Sequence, residues 1–326
     1  MTKRDNFFAF FQGKEYDHIP VLSEDTLSFQ PRELHDYVAR GFVSDAFPFD
    51  RNNASGGKGW FGVEWEFEPS AGGSIDKGRT FDDVTEWKDK VVFPDLDAID
   101  WEGIKERNKD FLKTDRIICA TIFSGYFERL IAFMDFQDSA MALAMAGADP
   151  DYEDAIKGLF EKLTNLYCDY IERMNKYFNV EMIELHDDWG TQKSAMMSLN
   201  VHHELIFPYV KRVVDKCHEL GMLYMQHSCG NITDIYPDEI EAGTDTWFGQ
   251  ETVGIKEDMV KKYDGKIICG VSIEPTDLSS IEAVQEYAKK ELAKYKGYKV
   301  WYRVPKKGVS PEQTQAIIDL IVKEHY

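Results

Sequence analysis

No stretch of this chain approaches the roughly 20 consecutive apolar residues that a helix needs to cross a bilayer. Its N-terminal apolar patch, Phe7 to Phe11, is closed off by Gln12 and Lys14 and is too short for the h-region of a secretory signal. Cysteine is scarce: five in 326 residues, an odd number without disulfide-like spacing. That excludes a disulfide-stapled scaffold and suits a reducing compartment, so a cytoplasmic location is expected. Positive charge is also short. Lys and Arg number 38 against 58 Asp and Glu, a net charge of −20. Such a surface repels phosphate backbones, so neither nucleic acid nor membrane is expected as a partner. No dinucleotide fingerprint, phosphate-binding loop, nucleophile elbow or His-Glu-x-x-His helix occurs. Linkers rich in Pro or Ser, low-complexity tracts and internal repeats are missing too.

What is present is 43% apolar and 29% charged, an ordinary globular balance with enough length for a large core. From about residue 115 onward, short apolar or β-branched runs alternate with helical patterns. Strands are expected at Arg116–Phe123, Val180–His186, Met222–Gln226, Thr246–Gly249, Lys266–Val271 and Tyr298–Val304. Helices are expected at Asp154–Tyr177, His203–Leu220 with a kink at Pro208, Asp234–Ala242, Ile255–Tyr263, Ser280–Tyr295 and Pro311–His325. The first 115 residues are less regular. A short helix at Phe7–Phe11, a first strand at Ile19–Leu22, a helix at Glu33–Arg40, a loop at Asn52–Gly59 and a hairpin over Trp60–Phe67 are the expectations there. Alternation of this kind implies a parallel sheet. The fold class is α/β: one domain over residues 1–326, a (β/α)8 TIM barrel with an elaborated N-terminal region, its active site at the C-terminal ends of the strands.

Three clusters at those ends carry chemistry. The run Leu223–Gln226 leads into His227-Ser-Cys229-Gly230, an imidazole and a thiol two residues apart, side chains that share a face. Together they can grip a soft metal ion such as zinc, which needs three or four ligands, and Glu251, Glu184 and Cys269 can complete the shell. The blander reading of the pair is a barrel residue and a buried thiol. Val180–Ile183 leads into Glu184-Leu-His186-Asp187-Asp188-Trp189-Gly190-Thr-Gln192, in which one carboxylate faces the mouth to orient a ligand histidine or a substrate group, or, in the blander reading, Asp187 or Asp188 caps the next helix or holds a loop. Ser124-Gly-Tyr126-Phe127-Glu128-Arg129 closes a third strand. Its two charges read as a surface pair, and Tyr126 and Phe127, with Trp60, Phe61 and Trp65, as either core or pocket lining.

In order and spacing, Gly57–Phe67, Phe127–Asp151, His186–Leu199, Phe207–Met222, His227–Asp245 and Tyr263–Ile273 resemble the uroporphyrinogen decarboxylase superfamily, in its corrinoid-dependent methyltransferase branch. The resemblance covers about residues 60–326. It implies the same barrel, zinc bound with help from His227 and Cys229, and a corrinoid (cobalamin) carried by a partner protein. Relatives with a thiol acceptor resemble one another in a further zinc-binding Cys near the last strand. Here Val300–Pro305 has none, so the third ligand is expected from Glu251, with Glu184 or Cys269 as alternatives. That departure points to the O-demethylase type, in which a small, methoxylated aromatic donor gives up its methyl group. Asp187 and Asp188 then serve the departing oxygen, and Trp60, Trp65, Tyr126, Phe127, His186 and Gln192 bind the substrate. Porphyrinogen-cleaving members resemble one another in an arginine-rich N-terminal loop, and only Arg32, Arg40 and Arg51 are scattered here. A metal-free lyase of that kind and a non-catalytic barrel that docks a corrinoid protein are the rival readings.

Overall fold

In a computed structural model, which describes residues 1–34, 36, 42–50, 56–69, 73–304 and 308–323, the expected alternation forms a curled parallel sheet. Its strands are β1 (Thr26–Ser28), β5 (Ile117–Phe123), β6 (Met182–His186), β7 (Leu223–His227), β8 (Thr246–Phe248), β9 (Ile268–Ser272) and β10 (Val300–Arg303), neighbours in that order. The sheet closes into a barrel where Val21 forms a parallel bridge to Tyr302 and the Tyr302 N–H donates to the Pro20 carbonyl at 3.0 Å. The strand expected at Ile19–Leu22 is thereby split. Leu22–Asp25 makes a helical turn, held where Asp25 accepts the Val21 N–H at 2.7 Å, and pairing resumes at Thr26. Three further strands, β2 (Gly56–Lys58), β3 (Glu64–Glu68) and β4 (Gly73–Asp76), form a small antiparallel sheet in which the expected hairpin contributes the central strand.

Both faces of the barrel strands are covered, which is why they read as nearly unbroken apolar runs. Ile118, Ala120 and Ile122 of β5 and Ile183 and Leu185 of β6 are buried. The alternate residues face the barrel interior. Among the surrounding helices, Pro150–Phe178 buries Ile156, Leu159, Leu163, Tyr167, Ile171 and Met174 along one stripe. It outruns the sequence expectation because Asp149 caps the Asp151 N–H ahead of Pro150, and it stops where Asn179 turns left-handed. The helix expected at His203–Leu220 is two, Leu199–Leu205 and Phe207–Glu219. Pro208, with no N–H to give, sits in the first turn of the second. Helix Phe136–Ala146 and helix Trp101–Asn108 were not expected. Most of the helix expected at Glu33–Arg40, residues 52–55 of the expected loop and the tail beyond Lys323 lie outside the described residues. No helix among the described residues is long and apolar enough to cross a membrane.

Glu128 and Arg129 are not the surface pair that their adjacency suggests. Arg129 is 1% exposed. Its guanidinium donates to Asp36 at 3.0 Å and to the Phe123 carbonyl at 2.8 Å, and it lies 4.2 Å from the centre of the Phe61 ring. Arg129→Met is expected to strand the buried Asp36 carboxylate and lower stability by about 3–5 kcal/mol, read as a drop in the urea midpoint at constant m-value.

Candidate active site and metal centre

Strands β6 and β7 end side by side, with His186 and His227 paired in register. Both imidazoles therefore point into the barrel mouth, and they stack with centroids 4.3 Å apart. The stack belongs to a longer row at the same level. Phe123 lies 5.3 Å from His186, Phe248 lies 5.8 Å from His227, and Trp301 stacks on Phe248 at 5.4 Å. Gly270 makes room for the last ring: a Cβ there would sit 2.3 Å from Trp301 Cζ2. The Trp301 indole N–H donates to Thr246 Oγ1 at 2.7 Å, which fixes its tilt.

Beyond the strands, the two loops lock together. The Asp187 N–H donates to the His227 carbonyl at 3.1 Å, the Trp189 N–H to Ser228 Oγ at 2.9 Å, and the Asn231 N–H to the Thr191 carbonyl at 2.7 Å. Their closest approach is at Gly190 and Gly230. Gly230 has a φ of 79°, and a Cβ on it would lie 2.0 Å from the Gly190 carbonyl oxygen. Gly230→Ala is expected to push the loops apart and cost about 2–4 kcal/mol; a melting temperature within 2 °C or so of the native chain would contradict this.

The locked loops bring a carboxylate and a thiol to His227. Asp188 Oδ1 accepts the Cys229 N–H at 2.6 Å and lies 3.7 Å from His227 Nε2. Cys229 Sγ is 3.4 Å from the same nitrogen. Zinc bonded at about 2.0–2.3 Å in tetrahedral geometry holds its ligand atoms about 3.4–3.6 Å apart, so the Cys229 sulfur and the Asp188 oxygen each lie near ligand spacing from the His227 nitrogen. Among the described residues, the group whose ligand atoms all lie within 4.8 Å of one another is His186, Asp188 and His227.

Electrostatics suit such an ion. Burial, together with the charges of His186, Lys256 and Arg303, pulls His227 well below its usual range and so favours the neutral ring. Burial and Asp188 push the Cys229 thiol up to about 12, so a thiolate there needs a cation beside it. Burial and the Glu128 charge raise the Asp188 carboxyl. Burial lowers His186, but Glu128, 2.8 Å from its Nδ1, more than offsets this and raises it to about 9.

The remaining expected residues lie elsewhere. Asp187 is fully buried and accepts the N–H groups of Tyr126, Phe127 and Glu128 at 2.8–3.0 Å, so it caps helix Phe127–Met134. Burial and Glu128 push its carboxyl up to about 7 against those donors. Glu251 is ion-paired with Lys256 and accepts the Ser272 N–H at 2.7 Å. Glu184 faces the barrel interior and meets Thr121 at 3.4 Å. Cys269 pairs in register with Trp247 while Gly270 pairs with Phe248, so its thiol faces the helices and meets Tyr236 Oη at 3.3 Å. Tyr126 is core, its hydroxyl 2.9 Å from Thr164 Oγ1, and Phe127 packs edge-on against Phe136. Trp60 packs on Tyr170 of the long outer helix, Trp65 is buried in the small sheet, and Gln192 is exposed. The sequence reading missed Glu128 as the partner of His186, a role visible only once the strand end and the helix start are adjacent.

The family model for uroporphyrinogen decarboxylase (URO-D) matches residues 137–311. Among solved structures, a methyltransferase from Methanosarcina mazei superposes with a TM-score of 0.66 at 15% identity, covering 98% of each chain. A D-psicose 3-epimerase from Clostridium cellulolyticum H10 superposes with a TM-score of 0.38 at 8% identity, covering 69% of this chain and 84% of that one. No curated protein sequence matches the chain.

Proposed function

The chain belongs to the uroporphyrinogen decarboxylase family, and from that premise we propose that it is a zinc-dependent methyltransferase. The methyl group moves from a small, methoxylated aromatic donor to a corrinoid carried by a partner protein. One observation carries the reading: Cys229 Sγ and Asp188 Oδ1 each lie near zinc-ligand spacing from His227 Nε2, at the C-terminal ends of neighbouring barrel strands. The shared fold with the Methanosarcina mazei methyltransferase agrees with it.

His227, Cys229 and Asp188 would hold the zinc, with Asp188 in the place first given to Glu251. Zinc bound there supplies Lewis acidity to a donor oxygen, making it a better leaving group. The chain's own side chains do the rest. Glu128 holds His186 through Nδ1, which leaves the second ring nitrogen to place a proton on the departing oxygen. The carbon–oxygen electron pair stays on that oxygen, and the methyl carbon bonds to the acceptor. Phe123, Phe248 and Trp301 wall the mouth with apolar surface that suits an aromatic donor.

The lyase reading gains no support from the three N-terminal arginines. Arg32 forks onto Asp45 with two hydrogen bonds of 2.8 Å, and Arg40 and Arg51 lie outside the described residues. The test of the proposal is a methylation assay with cobalt(I) cobalamin and a panel of methoxylated aromatics. The native chain is expected to generate the methylcobalamin spectrum and Cys229→Ser is not. Absence of that spectrum with every donor would sink the methyl-transfer reading.

A further inference from the structure

A second pair of imidazoles lies behind the loop that carries Asp188. His202, on helix Leu199–Leu205, is fully buried, and its Nδ1 lies 2.7 Å from Asp238 Oδ2 on helix Tyr236–Ala242. The other oxygen of Asp238 lies 2.9 Å from Nδ1 of the half-exposed His203, whose ring stacks on Phe207 at 4.9 Å. One carboxylate thus clasps two adjacent residues of the first helix to the second. Burial, against the pull of Asp238, holds His202 below its usual range. A neutral ring meets that carboxylate only by donating from Nδ1.

The clasp ends on the metal loop. The His202 ring stands edge-on to Trp189, with centroids 4.7 Å apart and planes at 70°. Trp189 is buried and directly follows Asp188. Its N–H donates to Ser228 Oγ at 2.9 Å, and its carbonyl accepts the Met196 N–H at 2.7 Å. On the other side of Asp188, Asp187 is fixed as a helix cap. Asp188 is therefore bracketed by two anchored neighbours. Its own side chain is 29% exposed and accepts the Cys229 N–H, so its aim depends on that backbone. His202 Nε2 is buried, and no partner reaches it among the described residues. An unmet ring nitrogen in the interior costs stability, and a phenyl ring would fill the space without that cost. What the imidazole adds is a ring edge tied to Asp238 at a set angle.

We infer that His202 is a positioning residue for the candidate metal centre: clasped by Asp238, it seats Trp189, and the seated indole aims the Asp188 carboxylate at the ion. The inference rests on the zinc reading of the site. His202 touches neither the metal nor the donor, and it acts through Trp189 alone.

The test is the zinc affinity of the metal-stripped full chain, measured by competition with a chromophoric chelator beside the melting temperature of each variant. His202→Ala is expected to weaken zinc binding by about tenfold, as loss of outer support for a ligand does. Asp188→Ala weakens it by removing the ligand, and the double variant is expected to bind no more weakly than Asp188→Ala alone. Ile171→Ala, in the buried stripe of helix Pro150–Phe178, is the control: a lower melting temperature with unchanged zinc affinity. If His202→Ala does not fold, His202→Phe replaces it. The phenyl ring fills the space without bonding Asp238, and zinc affinity is expected to fall only while Asp188 is present. Unchanged affinity in the His202 variant, a loss that persists in full without Asp188, or an equal loss in Ile171→Ala overturns the inference and leaves the zinc reading standing. A native chain that takes up no zinc defeats that reading and the inference with it.

Discussion

His227→Ala and Cys229→Ser are each expected to lower methyl transfer to cobalamin by about a thousandfold or more. Lewis-acid stabilisation of a leaving oxygen is worth several kcal/mol, and each 1.4 kcal/mol is about tenfold in rate. Neither substitution should unfold the chain. Both side chains are partly open to the mouth, and the loops that carry them are held by backbone contacts at Gly190, Gly230 and Ser228. The loss therefore belongs to the site, and circular dichroism and the melting temperature of each variant should track the native chain. Cys229→Ser keeps an oxygen at the position, so it should retain more metal than Cys229→Ala at millimolar zinc. Corrinoid-protein binding that survives His227→Ala, in a chain whose native form shows no turnover, would favour a barrel that only docks that protein.

The second large effect is expected at Glu128. Its carboxylate fixes His186 through Nδ1, the arrangement by which a carboxylate sets the tautomer and aim of an imidazole. Loss of such a partner typically costs about 10–100-fold. Glu128→Gln should lower turnover by that factor with little change in KM, because Glu128 acts through His186 and the donor's ring is held by other residues. His186→Asn should cost about 100-fold or more, as expected when a proton donor is removed. The pair should be strongly non-additive: the double variant should be no slower than His186→Asn alone. If the two losses multiply, Glu128 has a role of its own, and the account of it as the holder of His186 fails.

Much of the barrel was legible because its signals are local. Six apolar runs with polar or glycine ends sit within a residue or two of β5 to β10, and His227 and Cys229 lie where one of them ends. What was not legible depends on which face a residue takes or on partners far along the chain. Asp187 and Asp188 are adjacent and chemically alike. Only the start of helix Phe127–Met134, 60 residues earlier, decides that Asp187 is its cap and Asp188 is left for the mouth. Cys269 is one residue from a position facing the interior, and strand parity sends it to the helices. Trp60, Trp65 and Tyr126 are as aromatic as the rings at the mouth, but they pack outside the barrel. The rings at the mouth, Phe123, Phe248 and Trp301, come from three separate strands. Glu128 and Arg129 look like a pair because they are neighbours, yet consecutive helix residues point about 100° apart.

X-ray absorption at the zinc edge, on protein isolated without chelators, tests the central claim most directly. The account predicts one zinc per chain with a single sulfur at about 2.3 Å and nitrogen or oxygen at about 2.0–2.2 Å, the sulfur shell vanishing in Cys229→Ser. A chain that carries no zinc, or zinc whose shell contains no sulfur, would contradict it.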